Sequence, residues 1–275
     1  MALPQPTLQA RVSAGLSFLT DEPLFRATGV RMGFSRRQGG VSEPPYDGLN
    51  LGTHVGDDAA AVAENRVRLQ GAAGLGGTAL LTLNQVHGNR VLALPERDAA
   101  VFSSVTAAAE EGADGVAVAA PGVTALLCFA DCTPVIVVSP TGAFAVAHAG
   151  WRGALAGIPA EAVQALVALD DQVGAQTSPA DFNAYIGPHI CPSCYECGAE
   201  LVGRFVDRFG PACAHEGDHL NLEAAVRASL AEAGVACDRI AAAGECTACC
   251  DDRYFSYRKS GGCCGRHSAF AGRKE

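Results

Sequence analysis

No run in this chain approaches the roughly 18 apolar residues that a membrane-crossing helix needs, so none of it reads as a span. The opening, MALPQPTLQARVSAGLSFLTDEPLF, lacks the basic end and apolar middle of a secretory leader, which makes the cytoplasm the expected compartment. Positive charge is short. Twenty Lys and Arg against 29 Asp and Glu leave a formal net charge of −9. That argues against a nucleic-acid partner, whose binding rests on clustered cations, while one or two arginines can still serve a small anion. Linkers and fixed-period repeats are missing too, and the proline-marked stretch 170–185 reads as a surface connection. There is one tryptophan, Trp151, and the seven histidines form no H-x-H pair.

What the chain does have is apolar mass. With 49% hydrophobic and 18% charged residues over 275 positions, it can bury a large core, and 1–275 is expected to be a single compact domain. Helices are predicted at 57–75, with Asp57 and Asp58 at the start, at 159–174 and at 220–235. Short, strongly apolar runs at 89–94, 115–119, 124–130, 134–140 and 143–149 read as strands covered on both faces. SPTG at 139–142 is a turn signal between two of them. Strands in succession followed by a helix indicate α+β, with mixed sheets covered by helices, and not a βαβ alternation.

AVAHAGWRG, residues 145–153, places a histidine, two glycines and an arginine where a buried strand stops. His87 in LNQVHGNRV (83–91) and Cys132 in ADCTP (130–134) occupy similar positions at strand ends. Together His87, Cys132 and His148 would make a three-ligand zinc site with a fourth position open to water or substrate. No local H-x-x-H or C-x-x-C ties them, and singly each also reads as a hydrogen-bonded histidine or a small buried hydrophobe. Arg152, among Gly150 and Gly153, and Arg37, before Gly39 and Gly40, are candidate anion-binding groups. Gln85 is a candidate substrate contact. Asp131 either orients a metal-bound histidine or caps its turn. Residues 254–258 (YFSYR) either line a nucleoside pocket or form a packing strand, and His189, His215, His219 and His267 read as surface or loop residues. Cys191, Cys194 and Cys197, with Cys246, Cys249, Cys250, Cys263 and Cys264 farther on, have spacing that invites a second zinc or an iron–sulfur cluster.

Seven blocks carry a wider resemblance: SRRQGGVSEPPYDGLNLGTHVGDD (35–58), LNQVHG (83–88), ADGV (113–116), PGVTALLCFADCTPVIVVSP (121–140), AVAHAGWRGALAGI (145–158), IGPHICPSCYECGAEL (186–201) and CTACCDDRYFSYRK (246–259). In this order they resemble the YfiH-like, or laccase-domain, family. Its members were described first as polyphenol oxidases and later as purine nucleoside phosphorylases that also deaminate adenosine. The resemblance implies a layered α/β/β/α fold and a catalytic zinc on His87, Cys132 and His148. It also implies adenosine, inosine and methylthioadenosine as substrates, with phosphate as co-substrate, a role that the anion-binding candidates Arg37 and Arg152 would suit. No metal cluster on the remaining cysteines is implied. Two alternatives stand beside it. One is a copper-dependent polyphenol oxidase carrying Cu2+, which scattered histidines without H-x-H pairs serve poorly. The other is a cysteine hydrolase with Cys132 as nucleophile and a histidine as base.

Overall fold

The computed structural model describes residues 2–275. The apolar runs become the middle of two six-stranded sheets. In one, the order is β1 (Gln9–Ser13), β2 (Leu16–Thr20), β3 (Arg31–Ser35), β14 (His267–Arg273), β7 (Val123–Phe129) and β4 (Ala79–Thr82). In the other it is β13 (Ile240–Ala242), β10 (Asn183–Ile186), β8 (Thr133–Val138), β9 (Phe144–Ala149), β6 (Gly115–Val118) and β5 (Val91–Leu94). A small hairpin, β11 (Ala214–His215) with β12 (His219–Leu220), stands apart.

Strand periodicity explains the layering. In β8, Ile136 and Val138 face the first sheet, where Phe34, Leu127, Phe129 and Ala269 meet them. Val135 and Val137 point the other way, onto helices α5 (Ile158–Gln172), α6 (Ala199–Phe209) and α7 (Leu222–Glu232) through Leu166, Phe205 and Val226. The outer face of the first sheet is covered by α2 (Ala59–Ala72), whose Leu69 and Ala72 pack on Phe18, Leu126 and Phe270. The order is therefore helix, sheet, sheet, helix, and the α+β reading holds. A fully buried leucine such as Leu166 contributes roughly 1.5–3 kcal/mol by leaving water. The alanines at 145, 147 and 149 of β9 let α5 approach closely.

Local signals set the element ends. Asp58 caps α2 by accepting the Ala60 N–H at 3.0 Å, so the helix starts just after the predicted acidic pair. Pro159 lies in the first turn of α5, and Asn221 caps α7. The turn at 139–142 joins β8 to β9 as its residues indicate, with Gly142 at φ 84°. Helices α1 (Glu22–Thr28), α3 (Ala99–Glu111) and α4 (Trp151–Leu155) complete the set. None of the helices among the described residues is long and apolar enough to cross a membrane.

Two expectations are corrected. His267 is buried within β14 at the centre of a sheet, and His189, although it lies in a loop after β10, is buried as well. Of the two readings of residues 254–258 the packing strand fails: they run as a bend, an irregular stretch and a turn, with Tyr254 and Phe255 buried and Tyr257 and Arg258 exposed.

Candidate active site and metal centre

Parity along β9 decides where His148 points. Phe144 and Val146 face the space between the sheets, and His148, two residues on, faces the same way beside Phe129 at 5.3 Å. Cys132 lies in the tight connection between β7 and β8, just before Thr133, which pairs with Ala149. His87 comes from the loop between β4 and β5 and takes a left-handed conformation, φ 63°. Its ring meets that of His148 edge-on at 4.7 Å. The ligand atoms of His87, Cys132 and His148 lie within 4.8 Å of one another.

One carboxylate fastens this arrangement. Asp114, immediately before β6, accepts the backbone N–H groups of Val86 (3.2 Å), His87 (2.9 Å) and Gly88 (2.6 Å). It also lies 2.7 Å from His148 Nδ1, which leaves Nε2 of that ring for a ligand. Burial opposes its charge, but His148 and the amides of Gly88 and His87 hold its carboxyl below the usual range.

Glycines supply the room. A Cβ on Gly150 would sit 2.9 Å from His87 Cδ2 and 3.2 Å from Cys132 Sγ, and one on Gly153 would sit 2.5 Å from the Gly88 carbonyl. That is why AHAGWRG carries glycine at both places.

Burial pushes the Cys132 thiol up, but His148 and His87 outweigh it and bring its pKa down to about 6. Burial likewise works against a charged His148, and the Cys132 thiolate with Asp114 lifts it to about 9. The centre therefore favours a Cys132 thiolate beside a protonated His148. Two nitrogens and one thiolate in close convergence, with a carboxylate behind one imidazole, suit a borderline-soft ion such as zinc or copper. The residues present fit a metal ion.

Above the three ligands opens a cavity of about 550 Å3, a size that suits a small metabolite. Its walls include His54, Trp151, Tyr195, Tyr257, Arg258 and Arg266. The guanidinium of Arg258 lies 5.5 Å from the Tyr195 ring and donates to the Glu196 carbonyl at 2.9 Å. Arg266 donates to the carbonyls of Cys264 and Gly265. Burial and the neighbouring Arg266 lower the pKa of His54, which is neutral at pH 7.

The sequence profile described as "Multi-copper polyphenol oxidoreductase laccase" matches residues 31–274. The chain belongs to this family. It is 35% identical over 259 residues to "Purine nucleoside phosphorylase YlmD" of Geobacillus stearothermophilus, covering 90% of this chain and 91% of that one. It is also 35% identical over 237 residues to "Purine nucleoside phosphorylase YfiH" of Escherichia coli K12, covering 84% and 89%. The solved structure of YlmD from Geobacillus stearothermophilus matches with a TM-score of 0.82 at 30% identity, each chain covered in full. The resemblance drawn from the seven sequence blocks is borne out.

On this laccase-family fold, the other sequence candidates fall in different places. Gln85 lines the cavity, but its amide is engaged with the backbone of Cys128, donating to the carbonyl at 2.9 Å and accepting the N–H at 2.8 Å. Asp131 touches neither histidine. It accepts Thr247 Oγ1–H at 2.6 Å and the Arg258 N–H at 2.7 Å, so it ties turns together, and the carboxylate behind His148 is Asp114. Arg37 does not line the cavity: it pairs with Asp47 at 3.0 Å and donates to the Asp251 carbonyl at 2.9 Å. Arg152 lies over the Trp151 ring, 4.4 Å from its centroid, and does not line the cavity either. The cations that line the cavity are Arg258 and Arg266. Arg258 stood in the YFSYR cluster, whereas Arg266, His54 and Asp114 carried no role in the sequence reading. Asp114 had a visible signal, an acid directly before an apolar strand in the ADGV block.

Proposed function

We propose that this chain is a zinc-dependent purine nucleoside phosphorylase, with His87, Cys132 and His148 as metal ligands, acting on adenosine and inosine and also on methylthioadenosine. The observation that carries the reading is the convergence of these three donors at one wall of a nucleoside-sized cavity that also presents two arginines. The relatives named as purine nucleoside phosphorylases support it over nearly the whole chain. The twelve cysteines, all free, suit a reducing cytoplasm.

In phosphorolysis, phosphate forms a bond to C1′ of the ribose while the C1′–N9 bond breaks and its electrons leave with the purine. Arg258 and Arg266 take the role given to Arg37 and Arg152 and hold the phosphate against the sugar. Tyr195, Tyr257 and Trp151 offer ring faces to the base. Neutral His54 offers a hydrogen bond without adding positive charge beside the sugar, where charge develops. Asp114 keeps both histidines in place throughout. When bound, zinc supplies Lewis acidity, which also accounts for adenosine deamination as a second activity.

The family description points instead to copper-dependent phenol oxidation. Among the described residues, only one cluster of potential metal ligands contains histidine, and three donors do not provide for several coppers. A thiolate at Cys132 between two histidines also fits a cysteine hydrolase, which would survive chelation.

The test is to incubate purified protein with adenosine and inosine, with and without phosphate, and to separate the products. Free base with ribose 1-phosphate, formed only when phosphate is present, is the expected result. Absence of base from metal-loaded protein overturns the reading.

A further inference from the structure

We propose that Cys191, Cys194, Cys246 and Cys249 form a second, structural zinc site that braces one wall of the cavity. The four sulfurs come from two C-x-x-C pairs about 50 residues apart, and all lie within 4.8 Å of one another. Cys194 Sγ and Cys249 Sγ stand 3.5 Å apart. Sulfurs held about 2.3 Å from one tetrahedral zinc are separated by about 3.8 Å, so the cluster is close to the size of a single ion's shell. An iron–sulfur cluster, in which thiolates bind different irons, needs them spread more widely. Four protein donors close the shell, the mark of a structural site as opposed to a catalytic one.

The backbone is already set for it. His189 and Cys246 form a parallel bridge, with the His189 N–H donating to the Glu245 carbonyl and the Thr247 N–H to the His189 carbonyl at 3.1 Å. The N–H groups of Cys191 (3.2 Å) and Cys249 (3.4 Å) both point at Cys246 Sγ, and amide donors of this kind stabilise a thiolate. All four cysteines are free thiols.

The site's neighbours give it a purpose. Tyr195, which follows Cys194, faces the cavity. Thr247, inside the second pair, bonds Asp131, the residue before Cys132. An ion joining the two arms fixes both to the wall nearest the first metal centre.

Metal content of the full-length protein, purified under reducing conditions from zinc-supplemented cells, tests this. Wild type should carry two zinc per chain, Cys132→Ala one, and a Cys194→Ser/Cys249→Ser double variant one. Should the double variant not fold, Cys132→Ala loaded with cobalt gives the same answer, since only a tetrathiolate there would yield intense sulfur-to-cobalt absorption. One zinc per chain in wild type with none in Cys132→Ala would overturn the proposal. So would an iron–sulfur absorption spectrum. None of these readouts depends on nucleoside turnover.

Discussion

Asp114 Oδ1 stands 2.7 Å from His148 Nδ1, and the same carboxylate oxygen takes the His87 N–H at 2.9 Å. One buried acid thus sets the ring of one ligand and the backbone of another. Asp114→Asn keeps the shape but removes the charge and replaces one acceptor with a donor. Zinc affinity at this site, measured by competition with a chromogenic chelator, should fall by about 10- to 100-fold. Unchanged affinity would mean the histidines are placed by something else.

Gly150 has φ −68°, a conformation alanine adopts freely, so Gly150→Ala tests space alone. The added methyl meets His87 Cδ2 at 2.9 Å. The variant should keep its melting temperature within a few degrees and lose most of its metal affinity. Full zinc content together with full activity would show that the ligands yield more easily than this packing implies.

Arg258 and Arg266 are assigned to phosphate. Removing a charge-assisted hydrogen bond costs about 1.5–3 kcal/mol, so Arg258→Gln or Arg266→Gln should raise KM for phosphate about 10- to 100-fold. Adenosine deamination uses no phosphate and should change much less. Arg37→Gln and Arg152→Gln should leave the phosphate KM near its wild-type value. Steady-state kinetics at varied phosphate separates the two pairs.

How far the sequence reached follows from these contacts. Strands β7, β8 and β9 were legible because both faces are buried, leaving continuous apolar runs. Strand β14 was not, although it is central: HSAFAGR mixes histidine, serine, glycine and arginine, and only the fold shows that Phe129 and Tyr254 enclose His267. His87, Cys132 and His148 are legible as strand-end residues, but only the resemblance joins them as candidate donors, since no local spacing does. Arg37 and Arg152 stand beside glycines, which is the signature of an anion site in sequence but says nothing of where the guanidinium points. Which cation faces a cavity depends on how distant loops cross, and 258 and 266 arrive there from the other end of the chain.

His267 also sets a pH dependence. Burial, with a smaller contribution from Arg266, lowers its pKa from 6.5 to about 3, and the Pro188 carbonyl beside the ring offsets this only in part. Between those values the unfolded chain takes up a proton that the folded chain refuses. Stability is therefore full above about pH 6.5 and declines as pH falls toward 3, by up to about 1.4 kcal/mol per pH unit. Urea midpoints from pH 7.5 to 4.5 should show this slope, and His267→Phe should flatten it. An equal slope in both proteins would assign the acid sensitivity to other groups.

The most direct test of the central claim is the rate of hypoxanthine release from inosine and phosphate as zinc is returned to chelator-stripped protein, for wild type and Cys132→Ala. The account predicts a rate that rises with zinc and saturates in wild type, and no release by Cys132→Ala at any zinc level. Release by the stripped wild type, or by Cys132→Ala, would contradict a catalytic metal on His87, Cys132 and His148.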